Sequence, residues 1–441
     1  MHKDLTRGAV TKSMLLFSLP MIAGNLLQQF YNIADTLIVG KVLGSDALAA
    51  VGSSYTLMVS ITSVLLGLCM GSGVYFSMLF GAKDEERLKK STFISFVFIA
   101  VITVFIEALS LIFIDPIISV LQIPKDIYTM TRDYLQVIFI GIFFTFIYNF
   151  FASYLRAIGN SSVPLVFLAV SAVLNVVLDL YFIISLGLGT AGAAWATIIA
   201  QAVSAVGIAA YTMLKVDSFR FEKRHICFDS GILKKISNFS LLTCVQQSVM
   251  NFGILMVQGL VNSFGVNVIA AFAAAVKIDS FAYMPVQDFG NAFSTFIAQN
   301  YGAKKNDRIK KGLRSAVLVS FVFCVVISAV VFFFGEKLML IFVQPWETQI
   351  IFIGAEYLRI EGACYCGIGC LFLLYGLYRG IGKPGISVVL TVISLGTRVL
   401  LAYTLAPIES IGLLGIWWAI PIGWILADIV GFLYYPKVMK K

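Results

Sequence analysis

The chain has 441 residues, of which 59% are hydrophobic and only 12% are charged, about half the charged share of an ordinary soluble protein. Its mean hydropathy is +0.93, and no segment restores an ordinary charge density. These values exclude a soluble enzyme, a nucleic-acid-binding protein and a secreted disulfide scaffold, although the net charge is +9. The chain is therefore predicted to be an integral membrane protein, and crossings of about 20 to 25 residues predict roughly twelve spans.

Apolar runs bounded by polar residues, glycine or proline predict an all-α protein with twelve transmembrane helices. The first run follows Lys3, Arg7 and Lys12 and is too long for the core of a signal peptide, so we expect it to remain as the first span. The predicted spans are 14–39, 51–80, 91–114, 127–154, 162–185, 190–214, 232–260, 268–300, 312–334, 348–378, 385–407 and 412–435.

The basic residues are concentrated in every second loop. With both termini assigned to the cytoplasm, 25 of the 32 Lys and Arg residues lie in inward segments, whereas the outward loops contain only Lys41, Lys125 and Lys337. This asymmetry follows the positive-inside rule. It predicts a multi-pass protein of the plasma (inner) membrane with both termini in the cytoplasm, and it identifies the basic loops as determinants of topology.

The two halves of the chain repeat each other. Gly81-Ala82-Lys83 recurs as Gly302-Ala303-Lys304, at an offset of 221 residues, and Arg156-x-x-Gly159 recurs as Arg379-x-x-Gly382, at an offset of 223. Since each half has six spans, an even number, both halves enter the membrane in the same orientation and form parallel repeats.

The repeat also predicts the domain organisation. We expect a six-helix lobe over residues 1–214, a cytoplasmic linker over 215–231 and a second six-helix lobe over 232–441. Two such lobes around a central cleft form the architecture of an alternating-access carrier.

Carboxyl groups within the apolar spans are the most informative residues, because an ionised group there costs at least about 2.5 to 3.5 kcal/mol and needs a partner or a wet cavity. Asp35 follows Pro20, a proline that favours a kink in the first span. Asn175 and Asp179 are four residues apart and share one helical face. A carboxyl group that is partly removed from water can bind and release a proton near neutral pH. The full set is Asp35, Glu107, Asp179, Asp279, Asp288, Glu361 and Asp428.

The carboxyl groups of the second half point less clearly to a function. Asp279 and Asp428 are interpreted as inert groups near helix ends or without polar companions, and Asp288 and Glu361 are intermediate. Lys277 and Asp279 are two residues apart and do not share a helical face, so we do not expect them to neutralise each other. Pairing of one of them across the bundle stays open.

Motifs of soluble enzymes are missing or lack their context. Gly187–Gly192 matches G-x-G-x-x-G, but it follows a membrane helix rather than a strand and is interpreted as a tight turn. The sequence has no Walker lysine motif, no H-E-x-x-H and no G-x-S-x-G, and both histidines, His2 and His225, lie outside the spans. We therefore predict a protein that is not an enzyme and that has no cofactor and no resident metal.

Taken together, several of these motifs resemble the multidrug and toxic compound extrusion (MATE) family over essentially the whole chain. The resemblance implies a twelve-helix, two-lobe antiporter that exports organic, often cationic compounds in exchange for H⁺ or Na⁺. The motifs are Pro20, Asn32–Asp35 followed by Gly40 and Gly44, Gly81–Lys83, Arg156–Gly159, Asn175–Asp179 and Gly192–Thr197.

The prokaryotic branch of DNA-damage-inducible (DinF-like) exporters is the most similar one. The resemblance assigns ion coupling to Asp35, Asn175, Asp179, Thr197 and, on the fourth span, Tyr134. The residue pattern alone points to Asp35, Asn175 and Asp179. We expect H⁺ rather than Na⁺ as the coupling ion, with a Na⁺ site at Asp35, Asn175, Asp179 and Thr197 as the other possibility.

The second half departs from the NorM-type branch of the family, which has carboxylates on spans seven and ten for a sodium site. Span seven has Gln246 and Gln247 instead, and span ten has only Glu356 and Glu361, in positions that do not clearly match. We therefore expect no NorM-type sodium site. Gln246, Gln247, Asp288 and Glu361 are candidates for the substrate cleft.

The expected partners are small organic molecules and the lipid bilayer, with no nucleic acid, and we expect a monomer. An alternative function is a flippase for a lipid-linked sugar, a relative in the same superfamily. Its pyrophosphate would need a cationic cavity, and the few basic residues within the spans, Lys277 and Arg398, make this less favoured. An intramembrane enzyme or assembly factor would need a convergent catalytic group that the motifs do not supply.

Overall fold

The computed structural model describes residues 4–121 and 123–439. His2, Lys3 and the last two lysines lie outside the described residues, and so does the predicted placement of the two chain ends. Within the described ranges the chain folds into fifteen α-helices joined by short turns. They are α1 (Val10–Leu43), α2 (Ser45–Gly81), α3 (Glu85–Ile112), α4 (Ile114–Val120), α5 (Lys125–Ile140), α6 (Ile142–Ala157), α7 (Ser162–Asp179), α8 (Gly189–Lys215), α9 (Ser230–Val261), α10 (Val266–Gly302), α11 (Asn306–Met339), α12 (Thr348–Ala363), α13 (Tyr365–Gly380), α14 (Pro384–Leu405) and α15 (Leu413–Met439).

The predicted all-α membrane architecture is confirmed. Ten segments in the described part of the chain are long and apolar enough to cross a membrane. Two further spans are bent pairs, α5 with α6 at 43° and α12 with α13 at 53°. The twelve predicted spans coincide with these segments to within a few residues at their ends. The short helix α4 lies almost entirely in the stretch that was predicted as a loop between the third and fourth spans.

The internal repeat is also present in the backbone. Lys83 and Lys304, which are equivalent in the two halves, have φ values of 57° and 56°, a conformation that residues other than glycine rarely adopt. The breaks in the two bent spans fall at Gly141 and Cys364, which are again 223 residues apart. The two halves therefore fold alike down to individual turns and helix breaks.

Contacts divide the chain into two compact units. The first unit contains Leu19–Cys244, and the second contains Leu5–Ser18 together with Val245–Lys441. This division differs from the predicted lobes, 1–214 and 232–441, at both of its boundaries. It assigns the start of α1 to the second unit and the first half of α9 to the first unit.

The first half of α9 belongs to the first unit because it packs closely on α2. A side chain at Gly71 would overlap the backbone of Phe239, so only glycine permits this approach. Next to it the hydroxyl groups of Ser72 and Ser240 are 2.7 Å apart, and Ser95 donates a hydrogen bond to Ser72 at 2.6 Å. Hydrogen bonds between buried hydroxyl groups fix the position of α9 in a region where lipid offers no alternative partner.

The start of the chain belongs to the second unit because the turn between α10 and α11 binds its backbone. The side chain of Leu5 is fully buried, and its N–H donates a hydrogen bond to Gln299 Oε1 at 3.1 Å. Arg308 Nε donates to the Leu5 carbonyl at 3.2 Å, and Lys305 Nζ donates to the Thr6 carbonyl at 2.8 Å. Two residues that the sequence identified only as determinants of topology therefore also anchor the N-terminal segment.

Candidate functional site

The five residues predicted to couple ion movement lie on four helices of the first unit. Asp35 is on α1, Tyr134 on α5, Asn175 and Asp179 on α7, and Thr197 on α8. Tyr134, Asn175 and Asp179 are buried, with no more than 3% of their surface exposed, whereas Asp35 and Thr197 are half-buried.

Asn175 is positioned by Thr197. Its Nδ2 donates a hydrogen bond to Thr197 Oγ1 at 3.3 Å, and the Thr197 hydroxyl donates in turn to the Ala193 carbonyl at 3.1 Å. Asn175 Oδ1 and both oxygens of Asp179 are buried and accept no hydrogen bond from the described residues. One face of α7 therefore presents three buried oxygen atoms that accept hydrogen bonds. A proton or a bound cation would supply the partner that these oxygens lack.

The Asp35 and Asp179 carboxyl groups lie within hydrogen-bonding reach of each other. A hydrogen bond between two carboxyl groups requires a proton on one of them, because ionised carboxylates only accept. Two ionised carboxylates this close would repel each other strongly in a medium of low dielectric constant. Within residues 4–121 and 123–439 neither group forms a salt bridge with Lys, Arg or His, and a bound proton or cation would relieve the repulsion.

Tyr134 covers this pair from α5. It is close enough to Asp35 and Asp179 to interact with both electrostatically, and its hydroxyl group donates to Met58 Sδ at 3.7 Å. Apolar side chains of α1, α2 and α8, among them Val39, pack around the tyrosine. The pair therefore lies next to a dry cluster in which the tyrosine hydroxyl is a polar neighbour.

A π-helix over Leu180–Ser185 begins directly after Asp179. Its wider turn is seen in the bond from the Leu186 N–H to the Tyr181 carbonyl at 3.1 Å. π-Helical turns are rare and often occur at functional sites, where they change the direction of side chains. Because no proline or glycine lies within 180–185, the sequence offered no signal for this turn.

Pro20 lies inside α1, which runs from Val10 to Leu43 without a break. The predicted hinge at this proline stays a prediction.

The second unit contains a carboxyl pair that the sequence analysis did not recognise as a site. Asp279 and Glu361 are buried, with 5% and 1% of their surfaces exposed, and lie within hydrogen-bonding reach of each other. Tyr365 donates a hydrogen bond to Asp279 Oδ1 at 2.7 Å. Tyr357 and Arg398 are close enough to both carboxyl groups to interact with them.

Asp279 therefore has polar companions, and the pairing across the bundle that the sequence left open is found, while its interpretation as an inert group stays a prediction. Asp279 contacts a tyrosine 86 residues further along the chain, at the first position after the break between α12 and α13. No sequence pattern indicated this contact, because it joins two segments that are far apart in the chain. The neighbouring Lys277 points elsewhere, with its Nζ 5.8 Å from the centre of the Phe342 ring.

The four candidates for the substrate cleft differ in their burial and in their neighbours. Gln246 and Asp288 are buried, and Gln247 is half-buried. Glu361 belongs to the pair with Asp279, which accounts for its burial without a substrate. A role of these residues in binding a substrate stays a prediction.

Comparison with known proteins places these observations in a family. The model of the MatE family matches residues 20–181 and 242–404. The probable multidrug resistance protein YpnP of Bacillus subtilis is 30% identical, over 98% of this chain and 96% of its own length, and YoeA of the same organism, also named a probable multidrug resistance protein, is 26% identical over 99% and 96%. A multidrug resistance MATE family transporter solved in an outward-facing conformation superimposes with a TM-score of 0.93 and 25% identity, covering 99% of this chain and 98% of that chain.

Proposed function

The chain belongs to the multidrug and toxic compound extrusion (MATE) family, and from this premise we propose that it exports organic, often cationic compounds in exchange for protons. It acts as a secondary transporter rather than an enzyme, and it works by alternating access, the mode typical of carriers built from parallel six-span repeats. Its place is the plasma membrane, with both termini in the cytoplasm, as a monomer.

The observation that carries the proposal is the Asp35–Asp179 pair, in which Asp179 is buried and Asp35 half-buried, and which has no basic partner among the described residues. Since the two carboxyl groups repel each other when both are ionised, a proton held by either of them stabilises the buried arrangement. A cationic substrate that binds in the same unit disfavours that proton, because each partner changes the affinity for the other by the same factor. The protein can therefore exchange a proton for a cationic substrate.

The oxygen atoms around the carboxyl pair favour H⁺ over Na⁺ as the coupling ion. One proton satisfies the two carboxyl groups directly by bridging them. A sodium ion would need oxygen ligands from Asn175 and Thr197 as well, and Thr197 Oγ1 already accepts one hydrogen bond and donates another. Its capacity to coordinate a cation is therefore reduced.

The mechanism that we propose starts at Asp35. Its protonation in the outward-open state shifts the first span about Pro20 and weakens binding of the substrate, which leaves. The proton is released to the cytoplasm when the transporter opens inward. One proton that moves through 100 mV supplies about 2.3 kcal/mol, and about 1.4 kcal/mol corresponds to a tenfold concentration ratio, so one proton per substrate supports a useful gradient.

The substrate class is inferred from the relatives, which are named as multidrug resistance proteins. The chain contains 37 Phe and 13 Met, and flexible apolar surfaces of this kind suit varied amphipathic compounds. Gln246, Gln247 and Asp288 remain the candidate polar contacts.

A flippase for a lipid-linked sugar is not favoured. Such a substrate carries a pyrophosphate, which would need free cationic side chains within the spans. Lys277 lies against the Phe342 ring, and Arg398 interacts with Asp279 and Glu361. The carboxyl groups near Arg398 would oppose the binding of a pyrophosphate there.

The proposal is tested by uptake of a fluorescent organic cation into proteoliposomes under separately imposed pH and sodium gradients. We expect the pH gradient to drive uptake and the sodium gradient to have no effect. Uptake driven by the sodium gradient alone would show that Na⁺, not H⁺, is the coupling ion. No uptake under either gradient would contradict the transport function.

A further inference from the structure

A small cavity lies inside the first unit, between α2, the bend of α5 and α6, and α8. Its volume is about 40 Å³. Since one buried water needs about 10 to 15 Å³ of such volume, the cavity has room for about two or three water molecules. Seven of its lining side chains are apolar, and the three polar ones are Thr62, Thr145 and Gln201.

The helix break at Gly141 explains why a cavity forms at this depth. The fourth span bends there by 43°, and the ends of α5 and α6 contribute Ile138 and Thr145 to the wall. A Cβ atom at Gly141 would lie 2.6 Å from the Ile198 side chain on α8, so only glycine permits this packing. At a break the last carbonyl groups of a helix lack their regular donors and add hydrogen-bond acceptors to the site.

The three polar side chains can hold water. Thr145 donates a hydrogen bond to Gln201 Oε1 at 2.9 Å, which turns the Gln201 amide so that its Nε2 group is left to donate to another partner. Threonines elsewhere in these helices, such as Thr212 on α8, donate to the carbonyl four residues earlier, and the Thr145 hydroxyl also lies 3.3 Å from the Gly141 carbonyl. Over residues 4–121 and 123–439 the Thr62 hydroxyl makes no such bond, so it too can bind a water molecule. Buried water needs two to four polar partners, and this site supplies them.

The cavity lies one helical turn away from the carboxyl pair. Gln201 follows Thr197 by four residues on α8, and Ile138 follows Tyr134 by four residues on α5, about 6 Å along each axis. Met58 joins the two places directly, because it lines the cavity and accepts the hydrogen bond of Tyr134. Movement of this flexible thioether side chain is sufficient to connect them.

The direction from the pair to the cavity is toward the basic loops. α8 runs from Gly189 through Thr197 and Gln201 to Lys215, and the positive-inside rule assigns the Lys215 end to the cytoplasm. The cavity therefore lies on the side of the pair to which the proposed exchange has to deliver its proton.

We propose that this cavity binds water and acts as a proton relay from the Asp35–Asp179 pair toward the cytoplasm, with Thr145 and Gln201 holding the water chain. This inference rests on the proposed proton coupling. In each step the O–H bond of the donor breaks as a new O–H bond forms on the next water, which passes on one of its own protons. The carboxylate is left ionised, every water returns to neutrality, and no oxidant or reductant is needed.

The test uses the full-length protein in proteoliposomes, with ethidium as the organic cation. Thr145→Val keeps the shape of the side chain and removes the hydroxyl group, whereas Thr145→Ser keeps the hydroxyl group. We expect Thr145→Val and Gln201→Leu to lower the initial rate of pH-driven uptake by roughly tenfold or more, with unchanged Kd for ethidium in detergent. Thr145→Ser should transport at close to the wild-type rate.

Wild-type rates in Thr145→Val and Gln201→Leu would overturn the relay, while pH-driven uptake by the wild type would leave the proposed function standing. Equal slowing by Thr145→Val and Thr145→Ser would also overturn it, because a packing defect, not a lost hydroxyl group, would then explain the rate. If the pH gradient did not drive uptake by the wild type, both the proposed proton coupling and the relay would be wrong.

Discussion

The two units each bury a pair of carboxyl groups, and the pairs differ in one respect. In the second unit Arg398 interacts with Asp279 and Glu361, so the pair has a positive charge that belongs to the protein. In the first unit Asp35 and Asp179 form no salt bridge within the described parts of the chain. The nearby arginine lowers the cost of ionising the second pair, whereas a proton or a bound cation would have to offset the charge of the first.

The difference also extends to the surrounding hydrogen bonds. Tyr365 donates directly to Asp279 at 2.7 Å. In the first unit the tyrosine near the pair, Tyr134, directs its hydroxyl group at the sulfur of Met58 instead. The pair in the second unit thus has a tyrosine donor and an arginine nearby, whereas among the described residues the pair in the first unit has neither.

The largest effect is expected for Asp35→Asn. An amide cannot release a proton, so pH-driven export should be abolished while the protein remains in the membrane. The same substitution in the second unit, Asp279→Asn, leaves Glu361 balanced by Arg398 and should preserve coupled transport. Uptake assays on both variants check this, and wild-type transport by Asp35→Asn would rule out the mechanism.

The next effect concerns the cation of the second unit. Arg398→Gln removes a positive charge near two buried carboxyl groups, so their ionisation becomes more costly. We expect a clearly lower melting temperature in detergent. The double variant Asp279→Asn/Arg398→Gln should recover much of it, because one carboxyl group is then neutral. If the double variant lost as much melting temperature as Asp279→Asn and Arg398→Gln lose together, Arg398 would not balance the charge of this pair.

A smaller effect separates the two tyrosines. Tyr365→Phe removes the donor to a buried carboxylate, a loss of about 1 to 3 kcal/mol. Tyr134→Phe removes a bond to a thioether, which is a weak acceptor, and should lower the melting temperature less. Equal losses in the two variants would mean that the hydrogen bond to Asp279 is not what distinguishes the pairs.

The smallest effect is expected at the outward ends of the two units, where the same type of ion pair occurs twice. Arg132 Nε lies 2.8 Å from Asp115 Oδ1, and Arg359 Nη2 lies 2.7 Å from Glu336 Oε1. All four side chains are partly exposed. The hydrogen bond from Arg132 holds the pKa of Asp115 below its usual value.

The stabilisation by Asp115 is therefore present at neutral pH and lost as the pH falls through its lowered pKa. Asp115→Asn and Glu336→Gln should leave transport unchanged and lower the melting temperature only slightly at pH 7. For Asp115→Asn even this small difference should disappear in acid. A transport defect in either variant would show that these surface pairs do more than stabilise the loops.

The sequence was sufficient for the spans, because apolar runs and basic loops are local signals. It was also sufficient for the repeat. Asp35 and Asp179 are conspicuous as carboxyl groups within spans, and Asn175 shares a helical face with Asp179, but their role in ion coupling stays a prediction. It did not predict the Asp279 cluster or the anchor at Arg308, because both depend on contacts between segments far apart in the chain. The π-helix after Asp179 lacks glycine and proline, so packing rather than local propensity determines it. Gly362 lies two residues before the break at Cys364, but other glycines of α12 and α13, such as Gly369, lie within helices, so a glycine alone does not locate the break.

The most direct test of the account is a count of the protons that the purified protein releases when it binds an organic cation. Isothermal titration of ethidium in buffers of different ionisation enthalpy gives this number. We expect release of about one proton per ethidium by the wild type and by Asp279→Asn, and none by Asp35→Asn. Proton release by Asp35→Asn equal to that of the wild type, or its loss in Asp279→Asn, would contradict the assignment of the exchangeable proton to the first unit.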